Sequence, residues 1–221
     1  MKKFIVFCLL FFSTIKLFSE GISFGVFAEP LISWMKPNVA SIQYNGVRAG
    51  FNLGLIADYY FTENYAVATG IGLNSCGGRL FYDNITPIYT SNGRKVINNQ
   101  EMIFSLQYVE IPVGIKMKTN MIGRIAIFAN VGLVPQINVK ANAKASDFGF
   151  VDIRKDEIYL FNFGYNFGGG IEYSIGGNSS IVAGLLFKNG FTDITKTPSN
   201  DLRIIDKTTL SSLSIKIGII F

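Results

Sequence analysis

The run Leu213-Ser-Ile-Lys-Ile-Gly-Ile-Ile-Phe221 puts a large apolar residue at every second position: Leu213, Ile215, Ile217, Ile219 and Phe221. Ser214, Lys216, Gly218 and Ile220 lie between them. Alternation of period two marks a β-strand, whose successive side chains point to opposite faces. The pattern recurs seven more times. Ile22, Phe24, Val26, Ala28, Pro30, Ile32 and Trp34 share one face, with Ser23, Glu29 and Ser33 on the other. Val47 to Tyr59 repeats it against Arg48, Gly50, Asn52, Gly54 and Asp58, and Val67 to Leu73 repeats it against Ala66, Ala68, Gly70, Gly72 and Asn74. Further runs cover Val109–Met117, Ile125–Ile137, Tyr159–Tyr173 and Ile181–Phe187. A chain so patterned is confined to an all-β sheet.

Most runs exceed the roughly 9–11 residues with which a tilted strand crosses a bilayer, whereas ordinary globular strands have about 5–6. Connections alternate in kind. Thr62-Glu63-Asn64, Thr119 to Gly123 and Ser174 to Ser179 are tight; those near 82–101, 141–156 and 190–207 are long and polar, and that near 35–44 is intermediate. Short turns at one end and long loops at the other are the habit of outer-membrane barrels. The expected fold is an eight-stranded antiparallel transmembrane up-and-down β-barrel, with both ends on the short-turn side. A soluble lipocalin-like barrel shares the period with its faces inverted. Strand length, an apolar face almost free of charge, and aromatics near strand ends (Trp34, Tyr59, Tyr60, Tyr65, Tyr173) favour the membrane form.

Met1-Lys2-Lys3 followed by the apolar stretch Phe4 to Phe12 and a more polar segment to Ser19 has the form of a secretory signal peptide. The expected domains are a cleaved signal over residues 1–19 and a barrel over 20–221, with Gly21 as an alternative cleavage point. Loss of Lys2, Lys3 and Lys16 lowers the basic count from 20 to 17 against 15 acidic residues, so net charge falls from +5 to +2. So small a surplus gives no case for a nucleic-acid partner. Cys8 leaves with the signal, and Cys76 alone makes no internal disulfide.

The polar face carries glycines, which fit the narrow interior of an eight-stranded barrel, and eight charges. Glu29, Asp58, Glu110 and Glu172 face Arg48, Lys116, Lys188 and Lys216. Opposite charges in a poorly solvated lumen pair and hydrogen-bond, because isolated ones are expensive to bury. The expectation is a balanced polar plug; a selective narrow pore is the alternative. The chain has no histidine, which excludes a Ser-His-Asp triad and a zinc site built on histidine. No catalytic, cofactor-binding or metal-ligating set emerges, and the chain is not expected to be an enzyme. Asp152, Arg154, Lys155, Asp156 and Glu157 read as a solvated loop. The loop Phe81 to Glu101, with Tyr82, Tyr89, Arg94 and Lys95, is the best candidate for an outside contact.

Tyr108-Val-Glu-Ile-Pro-Val-Gly-Ile-Lys116 resembles the "Y-[LV]-E-I-P" strand of PorT-like outer-membrane barrels, and Phe167-Gly-Gly-Gly-Ile-Glu-Tyr173 is similar to that group's "G-G-G-[IL]-E" strand. The plan also resembles small barrels of the OmpX and OmpA type. The resemblance implies the cell outer membrane as location, its lipids as surroundings, and the barrel-assembly machinery as a partner reading Phe221. It supplies no catalytic residues. The expected function is a structural, surface-exposed barrel whose outer loops contact an extracellular or host ligand; the alternative is a narrow pore or a secretion accessory.

Overall fold

The computed structural model describes residues 21–39, 42–90, 93–145, 148–153, 157–196 and 208–221. The signal-peptide segment, and Arg154, Lys155 and Asp156 of the third long loop, lie outside the described residues. The strands are Ile22–Pro37 (β1), Ile42–Gly46 (β2), Arg48–Tyr60 (β3), Tyr65–Tyr82 (β4), Thr86–Thr90 (β5), Gly93–Ile97 (β6), Gln100–Glu110 (β7), Val113–Lys118 (β8), Ile125–Ala145 (β9), Phe148–Asp152 (β10), Phe161–Gly176 (β11), Ser179–Gly190 (β12) and Thr208–Ile220 (β13).

Antiparallel pairing runs β1–β3–β4, from β4 to both β7 and β8, from these to β9, then β11–β12–β13, and β13 returns to β1. Eight staves therefore close into an up-and-down barrel. The closing seam holds Val26 opposite Ile219 and Trp34 opposite Ser211. Phe221 extends it: its N–H donates to the Phe24 carbonyl at 2.7 Å, and the Phe24 N–H donates back at 3.3 Å.

One stave is broken. The stretch read as a single strand from Val109 to Met117 is divided between β7 and β8, because Pro112 has no N–H for the ladder. The break is bridged from both sides. The Ile111 N–H donates to the Pro135 carbonyl at 3.1 Å, and Thr69 Oγ1 donates to the Pro112 carbonyl at 2.9 Å.

The faces decide the environment. Leu55, Leu185 and Ile217 are 54%, 59% and 53% exposed on the outer wall, while Glu29, Asp58 and Glu110 are 1% exposed inside. This apolar-out, polar-in pattern is the reverse of a lipocalin-like barrel and suits a wall bathed in hydrocarbon. The lumen is narrow enough to require close backbone approach. A Cβ on Gly54 would come 2.1 Å from the Ile71 carbonyl oxygen and 2.8 Å from the Phe27 ring. At the tight end, β11 turns into β12 through a two-residue loop, where Gly177 takes φ +59°, a conformation that favours glycine.

The segments read as long loops carry more structure than their polarity suggests. β4, β7 and β9 continue beyond the apolar band, and β2 and β10 join this extension. Within 82–101, β5 and β6 form a separate hairpin.

Candidate functional site: a sealed lumen and its outer mouth

Alternation places one inward side chain every second residue on each stave, and in the middle of the barrel these are charged or amide groups. They form two knots. In one, Lys188 Nζ lies 2.6 Å from Glu110 Oε1 and 3.1 Å from Glu29 Oε2. Asn52 Nδ2 donates to the same two oxygens at 2.6 and 2.9 Å. Glu110 Oε2 accepts from Asn74 at 3.1 Å and from Gln136 at 3.0 Å, and Asn162 donates to Gln136 at 2.7 Å. In the other knot Lys116 Nζ donates to Asp58 Oδ2 at 2.7 Å and pairs with Glu172. All these carboxylates and both lysines are buried. Such charges persist in a dry interior only when partners replace their hydration, and here each carboxylate meets an ammonium group.

Six of the eight charges singled out by pattern meet in these knots, and Lys216 sits at their margin. Its Nζ is 3.8 Å from Glu29 Oε1 and 4.6 Å from the centre of the Phe27 ring. Arg48 stands apart. Its Nη1 donates to the Cys76 carbonyl at 2.8 Å, and among the described residues it makes no ion pair. The balance of four against four is therefore not the local balance of the knots. What the sequence reading missed is the amide set of Asn52, Asn74, Gln136 and Asn162, which with Glu29 and Glu110 forms a network across six staves. Their shared inward face was the available signal.

Apolar layers lie on both sides. Phe27, Ile56, Phe128, Val182 and Ile220 pack together toward the tight-turn end. Toward the loop end, Leu31, Met35, Leu80, Phe104 and Leu106 from the wall pack with Ile88 and Ile97 of the β5–β6 hairpin and with Ile153, Ile158 and Ile194 of the connections. The hairpin thus stoppers the mouth.

This changes the reading of the outer contact. Tyr82 is 2% exposed within the stopper and presents no surface to a ligand, a correction that follows from β4 continuing inward-facing to its end. Arg94 is exposed and Lys95 half-buried on β6; the side chain of Tyr89 lies outside the described residues. Among the described residues no group of acidic or sulfur ligands could hold a metal ion on its own.

A family model described as "Outer membrane protein beta-barrel domain" matches residues 16–153. Among solved structures, the chain is similar to Neisserial surface protein A, at 14% identity and TM-score 0.47, over 90% of this chain and 98% of that one. It is similar to OprG of Pseudomonas aeruginosa at 12% identity and TM-score 0.47, over 91% and 96%. It is also similar to Ail, the attachment invasion locus protein of Yersinia pestis, at 13% identity and TM-score 0.43, over 91% and 99%. No curated protein sequence matches the chain.

Proposed function

We propose, from the premise that this chain belongs to the outer membrane protein beta-barrel domain family and resides in the outer membrane, that it serves there as a sealed structural barrel displaying its outer loops for contact. The observation that carries this reading is that successive layers obstruct the lumen, from the Phe27 layer through the two charge knots to the Ile88–Ile97 stopper. A barrel obstructed this way leaves its chemistry to the extracellular end. There the exposed Arg94 and neighbouring Lys95, on a hairpin anchored by buried isoleucines, offer a basic surface to an extracellular or host ligand.

The PorT-like stretch Tyr108–Lys116 has a structural use in this chain: Glu110 is a hub of one knot, Lys116 holds the other, and Pro112 breaks the wall. Nothing in that segment supports a secretion role. Residues 1–19 direct export and are then removed, insertion uses the barrel-assembly machinery acting on the Phe221 strand, and outer-membrane lipids surround the apolar band. N-terminal sequencing of the protein recovered from outer membranes tests the export step.

The surface role is tested with cells displaying the wild type or Arg94→Glu/Lys95→Glu, compared for adhesion to epithelial layers. Adhesion above that of barrel-free cells, lost in the variant with the folded gel band intact, supports the reading. Equal adhesion by both removes this hairpin as the contact.

A further inference from the structure

Arg48, which makes no ion pair among the described residues, stands at a gap in the wall. β4 pairs with β3 only as far as Ser75, and with β2 from Arg79 onward, so Cys76, Gly77 and Gly78 face neither strand in register. The half-buried Arg48 fills this gap. Its Nη1 donates to the Cys76 carbonyl at 2.8 Å and lies 3.2 Å from where a Cβ on Gly77 would stand. One such bond leaves the guanidinium with donors to spare.

The register shows what surrounds Gly77 on the outer face. Leu73, Val109 and Ile137 form an outward apolar row across β4, β7 and β9. The next outward rows toward the loop end are Ser75–Gln107–Lys140, then Gly77–Ser105–Asn142, then Arg79–Ile103–Lys144. The middle row is the lowest, because Gly77 has no side chain and Ser105 a short one. Directly opposed residues stand about 5 Å apart and diagonal ones about 7–8 Å. Arg48, Arg79 and the hydroxyls of Ser75 and Ser105 therefore surround one notch, and the exposed Lys140 and Lys144 reach it from the far strand. The acids nearby are Glu101, 3.7 Å from Arg79 in an exposed pair, and Asp152, opposite Asn142 on the side away from Ser105. Four cations thus outnumber two acids. The notch begins one row above lipid-facing Leu73 and Ile137, which is the depth of the headgroups.

We propose that this notch binds the phosphate of an outer-leaflet lipid headgroup, with Arg48 and Arg79 as its charged donors and Ser75 and Ser105 as its hydroxyl donors. Guanidinium groups match phosphate geometry, and a basic pocket at headgroup depth attracts anionic lipid. The lipid's chains lie on the Leu73–Val109–Ile137 row below. Exposed as it is, the Arg79–Glu101 pair is weak enough for Arg79 to be shared.

The test titrates the refolded full barrel in uncharged maltoside micelles with short-chain phosphatidic acid. Diacylglycerol of the same chains and inorganic phosphate serve as the comparison probes. The readout is the magnetic-resonance shift of the Gly77 and Ser105 amides and of the Arg48 Nε–H. Saturable shifts with phosphatidic acid, absent with diacylglycerol and with inorganic phosphate at the same concentration, are the expected result. Arg48→Gln should weaken binding roughly tenfold, the loss of one charge-assisted hydrogen bond. Arg124→Gln, exposed at the tight-turn end, should leave it unchanged. No saturable shift in the wild type, equal saturation by diacylglycerol or by inorganic phosphate, or equal weakening by the two variants overturns the proposal. If Arg48→Gln gives no folded gel band, Ser105→Val fills the notch from the opposite strand: lost binding supports the site, and unchanged binding refutes it.

Discussion

Replacing Lys188 with methionine isolates the stranded-charge argument. Lys188 spans Glu29 at 3.1 Å and Glu110 at 2.6 Å, and both carboxylates are 1% exposed. Without it Glu110 keeps only amide donors from Asn52, Asn74 and Gln136, and Glu29 keeps Asn52 and the more distant Lys216. Removing one member of a buried ion pair costs about 3–5 kcal/mol, most of it the penalty on the charge left behind. Lys216→Met is the matched control. Its ammonium is 3.8 Å from Glu29 and its side chain is 24% exposed, so its loss should cost about 1–2 kcal/mol including the contact with the Phe27 ring. Reversible guanidinium unfolding in lipid vesicles, followed by the fluorescence of Trp34, the chain's one tryptophan, measures both. A further variant, Lys188→Met with Glu29→Gln and Glu110→Gln, should recover most of the loss, because neutral amides carry no stranded charge. Equal losses in the two single variants, or no recovery in the triple, refute the reasoning.

Gly54→Val should yield no folded gel band, since even its Cβ would come 2.1 Å from the Ile71 carbonyl oxygen and 2.8 Å from Phe27; a normal band would contradict the close packing there. Leu185→Lys on the middle of the outer wall should lower stability in bilayers by about 2–4 kcal/mol, and a neutral effect in vesicle unfolding would contradict a lipid-facing position. Ile97→Asp, at a fully buried position of the stopper, should raise the rate of tryptic cleavage in the β5–β6 hairpin by roughly tenfold or more while the barrel stays folded; unchanged cleavage would mean the hairpin is held by something other than its apolar face.

The staves were legible because lipid and lumen impose opposite demands on alternate residues. Val26 and Leu55 face outward, Glu29 and Asp58 inward, and each identity reports its face. The signal fades where that contrast ends. Above the membrane band the inward residues of β4 and β7 are Leu80, Tyr82, Met102, Phe104 and Leu106, as apolar as any lipid-facing set, so period two no longer tells inside from outside. The β5–β6 hairpin was hidden by its polar composition, although Asn92-Gly93 between short apolar-containing runs is a hairpin signal. Opposite charges on the inward face could be anticipated as partners, but pairing is set by three-dimensional reach. The position of Arg48 on the inward face gave no hint that its guanidinium would serve a backbone carbonyl.

The central claim is that the lumen is blocked by its apolar layers and charge knots. Planar-bilayer recording of the purified wild-type barrel tests it most directly. The blocked lumen predicts a quiet baseline across the applied voltages, with no stable single-channel steps. Reproducible steps of uniform size, absent from protein-free membranes, would contradict it and return the narrow-pore reading.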